Sequence, residues 1–281
     1  MSAPDLSLKT LFDVKGKVAL VTGGGTGIGK MIAAALVQNG ARVYIASRKK
    51  QVVDEAAKEL TAMGPGECIA LVADLGTKAQ AHALAEQIKQ RESKLHILVN
   101  NAGMAWGSNL EDFDEKNGWD RLMALNVKSV FYVTTALLPL LEKGSEGNLS
   151  PARVINISSV AGTAGSAEDK LSAPGNGTWS YATSKAAVNH LTRVMALPLA
   201  RRNILVNAIA PGVFPSRMTK FGIEHGISIM EKQQPLGRIG TPEDMGGLAL
   251  FLCSRSSAHI TGAVFPIDGG ATITLNAYAK L

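Results

Sequence analysis

An α/β fold with a doubly wound parallel sheet in three layers, built as a single domain over residues 1–281, follows from three observations. Short apolar runs rich in β-branched residues alternate with amphipathic segments of helical period. The first run, KVALVT at 17–22, is apolar on both sides, as a strand covered on both faces must be. No composition shift divides the 281 residues, and a hydrophobic content of 46% suffices for one substantial core.

The elements follow in order. The strand at 17–22 runs into glycines and then an amphipathic helix over 28–39 that stops at Gly40. The pattern repeats with a strand at 42–46, a helix at about 51–63, a strand at 68–73, a helix at 79–91 and a strand at 97–99. Such alternation implies parallel strands joined by right-handed crossovers. A long helix is predicted over 119–141, then a strand at 154–157, a helix at 181–200 and a strand at 205–209. Thr241-Pro242-Glu243-Asp244 opens the next helix with an N-cap residue, proline at the first position and acids in the first turn. A strand at 264–267 closes the sheet. Residues 1–14 read as an N-terminal arm and 272–281 as a tail, while 144–151, 162–177 and 211–237 read as irregular.

Composition excludes several function classes. The net charge is +6, but the basic residues are scattered rather than gathered into a stripe, so no nucleic-acid partner is expected. Cys68 and Cys253 each sit in an apolar segment and read as buried thiols, not a disulfide. The five histidines show no ligand spacing, and no metal is expected. No secretory leader or uninterrupted membrane-length apolar run is visible, which points to a soluble cytoplasmic protein.

Thr22-Gly-Gly-Gly-Thr-Gly-Ile-Gly29 stands where the first strand feeds the first helix, the Rossmann-type position for a phosphate-binding turn. Gly23, Gly25, Thr26, Gly27, Ile28 and Gly29 would present backbone N–H groups and the positive helix end to a pyrophosphate, in a register other than G-x-G-x-x-G. At the end of the second strand, where an NAD enzyme places an acid for the ribose, the chain reads Ser47-Arg48-Lys49. A guanidinium and a hydroxyl suit a 2′-phosphate, so NADP(H) is the expected cofactor. The plainer reading of Arg48 and Lys49 is a pair of solvated charges opening the next helix.

Tyr181-Ala-Thr-Ser-Lys185 puts a phenol and an ammonium on one face of a helix. A nearby cation favours phenolate, and a phenol with an ordinary pKa near ~10 needs such help to exchange protons at neutral pH. With the glycine turn, Asn100-Asn101-Ala102-Gly103 after the fourth strand, Ile157-Ser158-Ser159-Val160 after the fifth and Pro211-Gly212 after the sixth, the chain resembles the short-chain dehydrogenase/reductase family over about residues 15–271. The resemblance implies that Tyr181 protonates a carbonyl oxygen while hydride arrives from the nicotinamide. It implies that Lys185 binds the nicotinamide ribose and that Ser159, with Ser158 as fallback, orients the substrate oxygen. Asn126 matches the family's proton-relay asparagine; its plainer reading is a satisfied polar residue at a helix kink. By position, Asp74 and Leu75 would lie near the adenine, Asn101, Ala102 and Gly103 along the adenosine side, and Pro211, Gly212, Val213 and Ser216 around the nicotinamide.

Phe214-Pro-Ser-Arg-Met-Thr219 and Pro235-Leu-Gly-Arg238 are similar to the 3-oxoacyl reductase group of rhamnolipid synthesis and its fungal relatives, which implies a β-keto acyl thioester or related ketone. Reduction of a sugar, polyol or secondary-metabolite ketone is the alternative, and a non-catalytic NADP(H)-sensing scaffold a third reading. Residues 213–238 form the expected substrate lid, lined by Phe221, Ile223, Ile227, Ile229 and Met230, with Trp106 and Trp179 at the pocket mouth. An insertion at 165–178 widens the gap between Ser159 and Tyr181 and must leave and return at the site's rim. The family resemblance implies a homo-oligomer, a dimer or tetramer, paired through the long helices, with Ala186, Ala187, His190, Leu191, Val194 and Met195 as an apolar stripe. Ala279-Lys280-Leu281 resembles a peroxisomal address, the alternative to a cytoplasmic location.

Overall fold

In the computed structural model, which describes residues 3–168 and 175–273, seven parallel strands form one sheet. They are β1 (Val18–Thr22), β2 (Arg42–Ser47), β3 (Glu67–Val72), β4 (Ile97–Asn100), β6 (Ala152–Ile157), β8 (Ile204–Pro211) and β9 (Val264–Ile267), in the order β3-β2-β1-β4-β6-β8-β9. The strand order reverses between β1 and β4, where Ala19 pairs with Ile97 and Val21 with Val99. In a doubly wound sheet the crevice beyond the carboxyl ends at that reversal is where ligands bind.

Period-two alternation divides the core. Ala19 and Val21 of β1 join one cluster with Ile32, Leu36, Val53, Leu60, Met245 and Leu252. Those residues come from α2 (Gly27–Gln38), α3 (Lys50–Thr61) and α9 (Pro242–Cys253). Val18 and Leu20 face the other cluster, with Leu84, Ile88, Leu137, Leu141, Met195 and Leu199. Those come from α4 (Lys78–Lys89), α6 (Ser129–Gly144) and α7 (Trp179–Ala200). Helix, sheet and helix make the three layers the sequence predicts.

Several elements depart from expectation. Helix predicted from 119 begins earlier, because the Asp114 carboxylate caps Asn117 and Gly118. It then runs through a π-helical turn Glu115–Asp120, α5 (Arg121–Met123) and a second π-helical turn Ala124–Lys128 into α6. This stretch of 30 residues is apolar and long enough by composition to cross a membrane, yet half of its apolar window is buried inside the fold. A short α1 (Leu8–Leu11) lies in the N-terminal arm, and α8 (Lys220–Lys232), non-helical at Gly226, occupies part of the region expected to be irregular. The insertion returns as β7 (Asn176–Gly177), antiparallel to β5 (Ser108–Asn109). Of that insertion, residues 169–174 lie outside the described residues, as do Ala279, Lys280 and Leu281 of the tail. The α7 stripe also needs correction: Met195 is buried in the core, Ala187 and Leu191 are half-buried, and Ala186, His190 and Val194 are exposed, as is Leu197.

Candidate active site

The glycine turn forms because β1 must hand over to α2 within a few residues. Gly23 and Gly27 take φ values of 66° and 55°, a region disfavoured for residues with a Cβ. Thr22 fixes the turn to the neighbouring strand: its Oγ1 accepts the N–H groups of Asn101 and Ala102, each at 3.0 Å. The Asn101 amide in turn donates to the carbonyls of Thr22 and Gly23 at 2.9 and 3.1 Å. The sequence marks Thr22 only as the start of the glycine motif; a hydroxyl ending a strand directly before glycines is the signal for this bracing role.

A cleft of about 360 Å³ runs from this turn along the ends of the strands. Gly23, Gly25, Thr26, Gly27 and Ile28 line its centre. Ser47, Arg48 and Lys49, with Asp74 and Leu75, line one end. Ala102, Gly103, Ser158, Ser159, Tyr181 and Lys185 line the other, with Asn101 on the wall between and Pro211, Gly212 and Ser216 closing it. Three expected residues are not on this wall: Gly29, Val213 and Asn126. A Cβ on Gly29 would meet the Asn101 amide at 2.3 Å and the Gly23 carbonyl oxygen at 2.6 Å, so Gly29 lets helix and turn pack closely. Val213 supplies a carbonyl to the Gly240 N–H at 2.9 Å.

The Ser47 hydroxyl is buried with no hydrogen-bond partner, and Arg48 beside it is exposed. An orphaned donor next to a guanidinium, with no carboxylate in the Ser47-Arg48-Lys49 run, fits a phosphate on the ribose and not a bare diol. Asp74 bonds the Leu75 and Gly76 N–H groups through Oδ1, which holds the loop after β3 against the cleft.

At the opposite end the first turn of α7 delivers Tyr181 and Lys185. Lys185 is buried, donates to the Ile157 carbonyl at 2.9 Å, and has its pKa lowered to about 8 by desolvation. Its Nζ stands 5.5 Å from the centroid of the Tyr181 ring. The phenol departs from expectation. Burial raises its pKa and outweighs the opposing pull of the Ser159 hydroxyl, so Tyr181 keeps its proton at neutral pH. Ser159 also caps the short 3-10 turn Val160–Gly162, accepting the Ala161 N–H at 3.1 Å. Ser158 instead donates to the Lys185 carbonyl at 3.1 Å and braces the helix, which separates the two serines.

Asn126, at 1% exposure, clamps the loop after β4. Its Oδ1 accepts the Met104 N–H, and its Nδ2 donates to the Met104 carbonyl and to Ser184 Oγ, at 2.9, 2.9 and 3.0 Å. Ser184 Oγ donates on to the Tyr181 carbonyl at 2.7 Å. A buried ladder beneath the site joins Asn100 to Thr134 and Asn156, and Asn156 to Thr192. These polar residues lie inside apolar strand and helix patterns, where nothing in the sequence separates them from surface positions.

The segment 213–238 meets the cleft through residues other than those expected. Phe214, Arg217, Met218 and Thr219 reach the cleft, whereas Ile227 and Ile229 are about two-fifths exposed and Ile223 and Met230 are absent from its wall. The Phe221 side chain lies outside the described residues. Trp179 packs on Gly177 and donates to the Ser108 carbonyl at 3.1 Å, and Trp106 packs against Gly118; neither lines the cleft.

Comparison with known proteins agrees with this geometry. The family model described as Enoyl-(Acyl carrier protein) reductase matches residues 23–272. A rhamnolipids biosynthesis 3-oxoacyl-[acyl-carrier-protein] reductase of Pseudomonas aeruginosa is 45% identical over 92% of this chain and 97% of its own length. The short-chain dehydrogenase/reductase PhomF of the fungus Diaporthe leptostromiformis is 34% identical over 98% of each chain. A solved structure of the Pseudomonas aeruginosa RhlG/NADP active-site complex superposes with a TM-score of 0.86 at 43% identity, covering 93% of this chain and 98% of the other.

Proposed function

The chain belongs to the short-chain dehydrogenase/reductase family and is an oxidoreductase acting on CH–OH and C=O groups, and from this we propose that it is an NADP(H)-dependent ketone reductase whose substrate is a 3-oxoacyl thioester. The observation that carries the reading is one cleft with Ser47, Arg48 and Lys49 at one end and Ser159, Tyr181 and Lys185 at the other. The resemblance to a 3-oxoacyl reductase at 45% identity supports the substrate class.

When bound, NADPH supplies the hydride. The residues of this chain do the rest. The glycine turn and the N-terminus of α2 face the pyrophosphate, Ser47 and Arg48 hold the 2′-phosphate, and Asp74 and Leu75 border the adenine. Asn101, Ala102 and Gly103 would line the adenosine side, and Pro211, Gly212 and Ser216 would bound the nicotinamide end, with Val213 behind them. Ser159 donates its hydroxyl to the substrate carbonyl oxygen and so fixes that oxygen beside the phenol. Tyr181 then gives its proton to the same oxygen as negative charge develops there. A phenol that burial keeps protonated at neutral pH is ready for reduction. The Lys185 ammonium, held by the Ile157 carbonyl, stabilises the phenolate left behind. Asn126 acts as a positioning residue, holding Met104 and, through Ser184, the Tyr181 backbone.

Residues 213–238 act as the substrate lid, within a single catalytic domain. Phe131 on α6 and Val194 and Leu197 on α7 are apolar and exposed, a surface suited to a homodimer or tetramer.

The test follows NADPH absorbance with a panel of ketones that includes 3-oxoacyl thioesters, using the unaltered protein and Tyr181→Phe. Turnover of a 3-oxoacyl thioester, lost by at least about a hundredfold in the variant, is expected. Equal turnover in the variant would remove Tyr181 as the acid. No turnover of any ketone would overturn the reductase reading, and turnover of sugars alone would overturn the substrate class.

A further inference from the structure

We propose that Arg217 is a pyrophosphate-binding residue, a cation carried on the lid that closes over the middle of the cofactor. The inference rests on the NADP(H) reading above and adds a residue to it.

Position is the first argument. Arg217 lines the same cleft as Gly25, Thr26 and Gly27. A Cβ built on Gly27 would lie 3.1 Å from Ser216 Cβ and 3.7 Å from Ser216 Cα, so the lid root rests against the glycine turn and Arg217 is the next residue along. The root is rigid: Ser216 N–H donates to Thr219 Oγ1 at 2.9 Å, Thr219 N–H returns to Ser216 Oγ at 3.2 Å, and Thr219 Oγ1 donates to the Phe214 carbonyl at 2.6 Å. Phe214 itself is 2% exposed. A guanidinium rising from fixed backbone is partly organised before its ligand arrives.

Charge is the second. A pyrophosphate carries two negative charges, and the turn offers it backbone N–H groups and a helix end worth roughly half a positive charge. The other cationic side chains of the cleft are placed elsewhere. Arg48 and Lys49 stand at the end of β2, and Lys185 is bound to the Ile157 carbonyl at the catalytic end. Of the cleft's cations, the exposed Arg217 alone is carried on the segment whose Ser216 abuts Gly27 of the turn. Among the described residues no ion pair engages it. The Asp268 carboxylate, behind Gly212, is already bonded to Gly270 N–H, Thr272 N–H and the Thr272 hydroxyl. Two forked N–H groups on phosphate oxygens are the arrangement for which arginine is suited.

The pyrophosphate is common to NADPH and NADH, and the 2′-phosphate is not, which makes the assignment testable by equilibrium binding. Dissociation constants are measured by fluorescence for NADPH, NADH and adenosine 2′-monophosphate with the unaltered protein, Arg217→Gln and Arg217→Lys. The expected result is a weakening of NADPH and NADH by the same factor, about tenfold, in Arg217→Gln. Lysine should restore part of it, and adenosine 2′-monophosphate should be unaffected. Unchanged affinity for both dinucleotides would overturn the assignment, as would weakening of NADPH alone, which assigns Arg217 to the 2′-phosphate. An unaltered protein that does not bind NADPH would overturn the cofactor reading and this inference with it.

Discussion

Lys185 carries the site's most consequential titration. Its ammonium is buried, and desolvation brings its pKa from 10.5 to about 8. Tyr181 moves the opposite way, because burial also penalises the phenolate. Both groups are therefore protonated at neutral pH, the state that reduction requires. As pH rises through about 8 the lysine becomes neutral before the tyrosine ionises, and the cation that should stabilise the phenolate left behind is lost. The value of kcat/KM for NADPH, which reports groups of the cofactor-free enzyme, should be level below pH 8 and fall about tenfold per pH unit above it. Lys185→Met should be slow throughout and lack that limb; a wild-type rate level to pH 10 would contradict the argument. At the other end of the cleft, Arg48→Asp would place an anion beside the orphaned Ser47 hydroxyl. A shift of the NADPH-to-NADH preference toward NADH by one to two orders of magnitude is expected, and steady-state kinetics with both cofactors would detect its absence.

Elements set how accurately these residues meet. The turn Val160–Gly162 lies directly on α7: a Cβ at Gly162 would fall 2.6 Å from the Lys185 carbonyl carbon and 2.8 Å from the Ala186 nitrogen. Helix backbone cannot give way cheaply, so Gly162→Ala must push the turn, and with it Ser159, away from Tyr181. A misplacement of about 1 Å costs on the order of a hundredfold in rate. We expect kcat to fall by that order with the KM for NADPH nearly unchanged, since the glycine turn and Ser47 stand on other elements; a wild-type kcat would show that the turn relaxes elsewhere. The same scale explains what the sequence revealed. Strands and helices with apolar periodicity were legible to within a few residues, and so were the glycine turn and the phenol–ammonium pair, because their chemistry is local. The β5–β7 ladder was not, since two-residue strands have no period to read. The π-helical turn Ala124–Lys128 was hidden for another reason: it carries Asn126, whose side chain clamps the loop after β4 through Met104. Ile227 and Ile229 looked like lid lining because an amphipathic pattern marks two faces without saying which meets the cleft.

The whole molecule depends on joining its strands at the end of the sheet remote from the cleft, and His96 does much of that. Its Nδ1 accepts the Val18 N–H at 2.9 Å, its N–H donates to the Val18 carbonyl at 2.9 Å, and its carbonyl accepts the Arg153 N–H at 2.8 Å. One residue thus links β1, β4 and β6. Burial, with Lys17 and Lys94 nearby, lowers the imidazole pKa from 6.5 to about 4 against a weaker opposing pull from Glu146. In the folded chain Nδ1 must stay unprotonated to accept the Val18 N–H. Between pH 6.5 and about 4 the unfolded state therefore binds the extra proton, and stability falls as pH drops through that window. The difference corresponds to roughly 3 kcal/mol. Carboxylates held low by partners, such as Asp244 beside Arg238 and Glu142 beside Arg202, lose their contribution mainly below their ordinary values of 3.8 and 4.5, so the higher window belongs chiefly to the histidine. Denaturant midpoints at pH 7 and pH 5 should differ clearly for the unaltered protein. In His96→Asn the side-chain oxygen keeps an acceptor near Nδ1 but cannot titrate, so the two midpoints should draw together even if both are lower. An equal acid loss in protein and variant would place the sensitivity elsewhere in the fold.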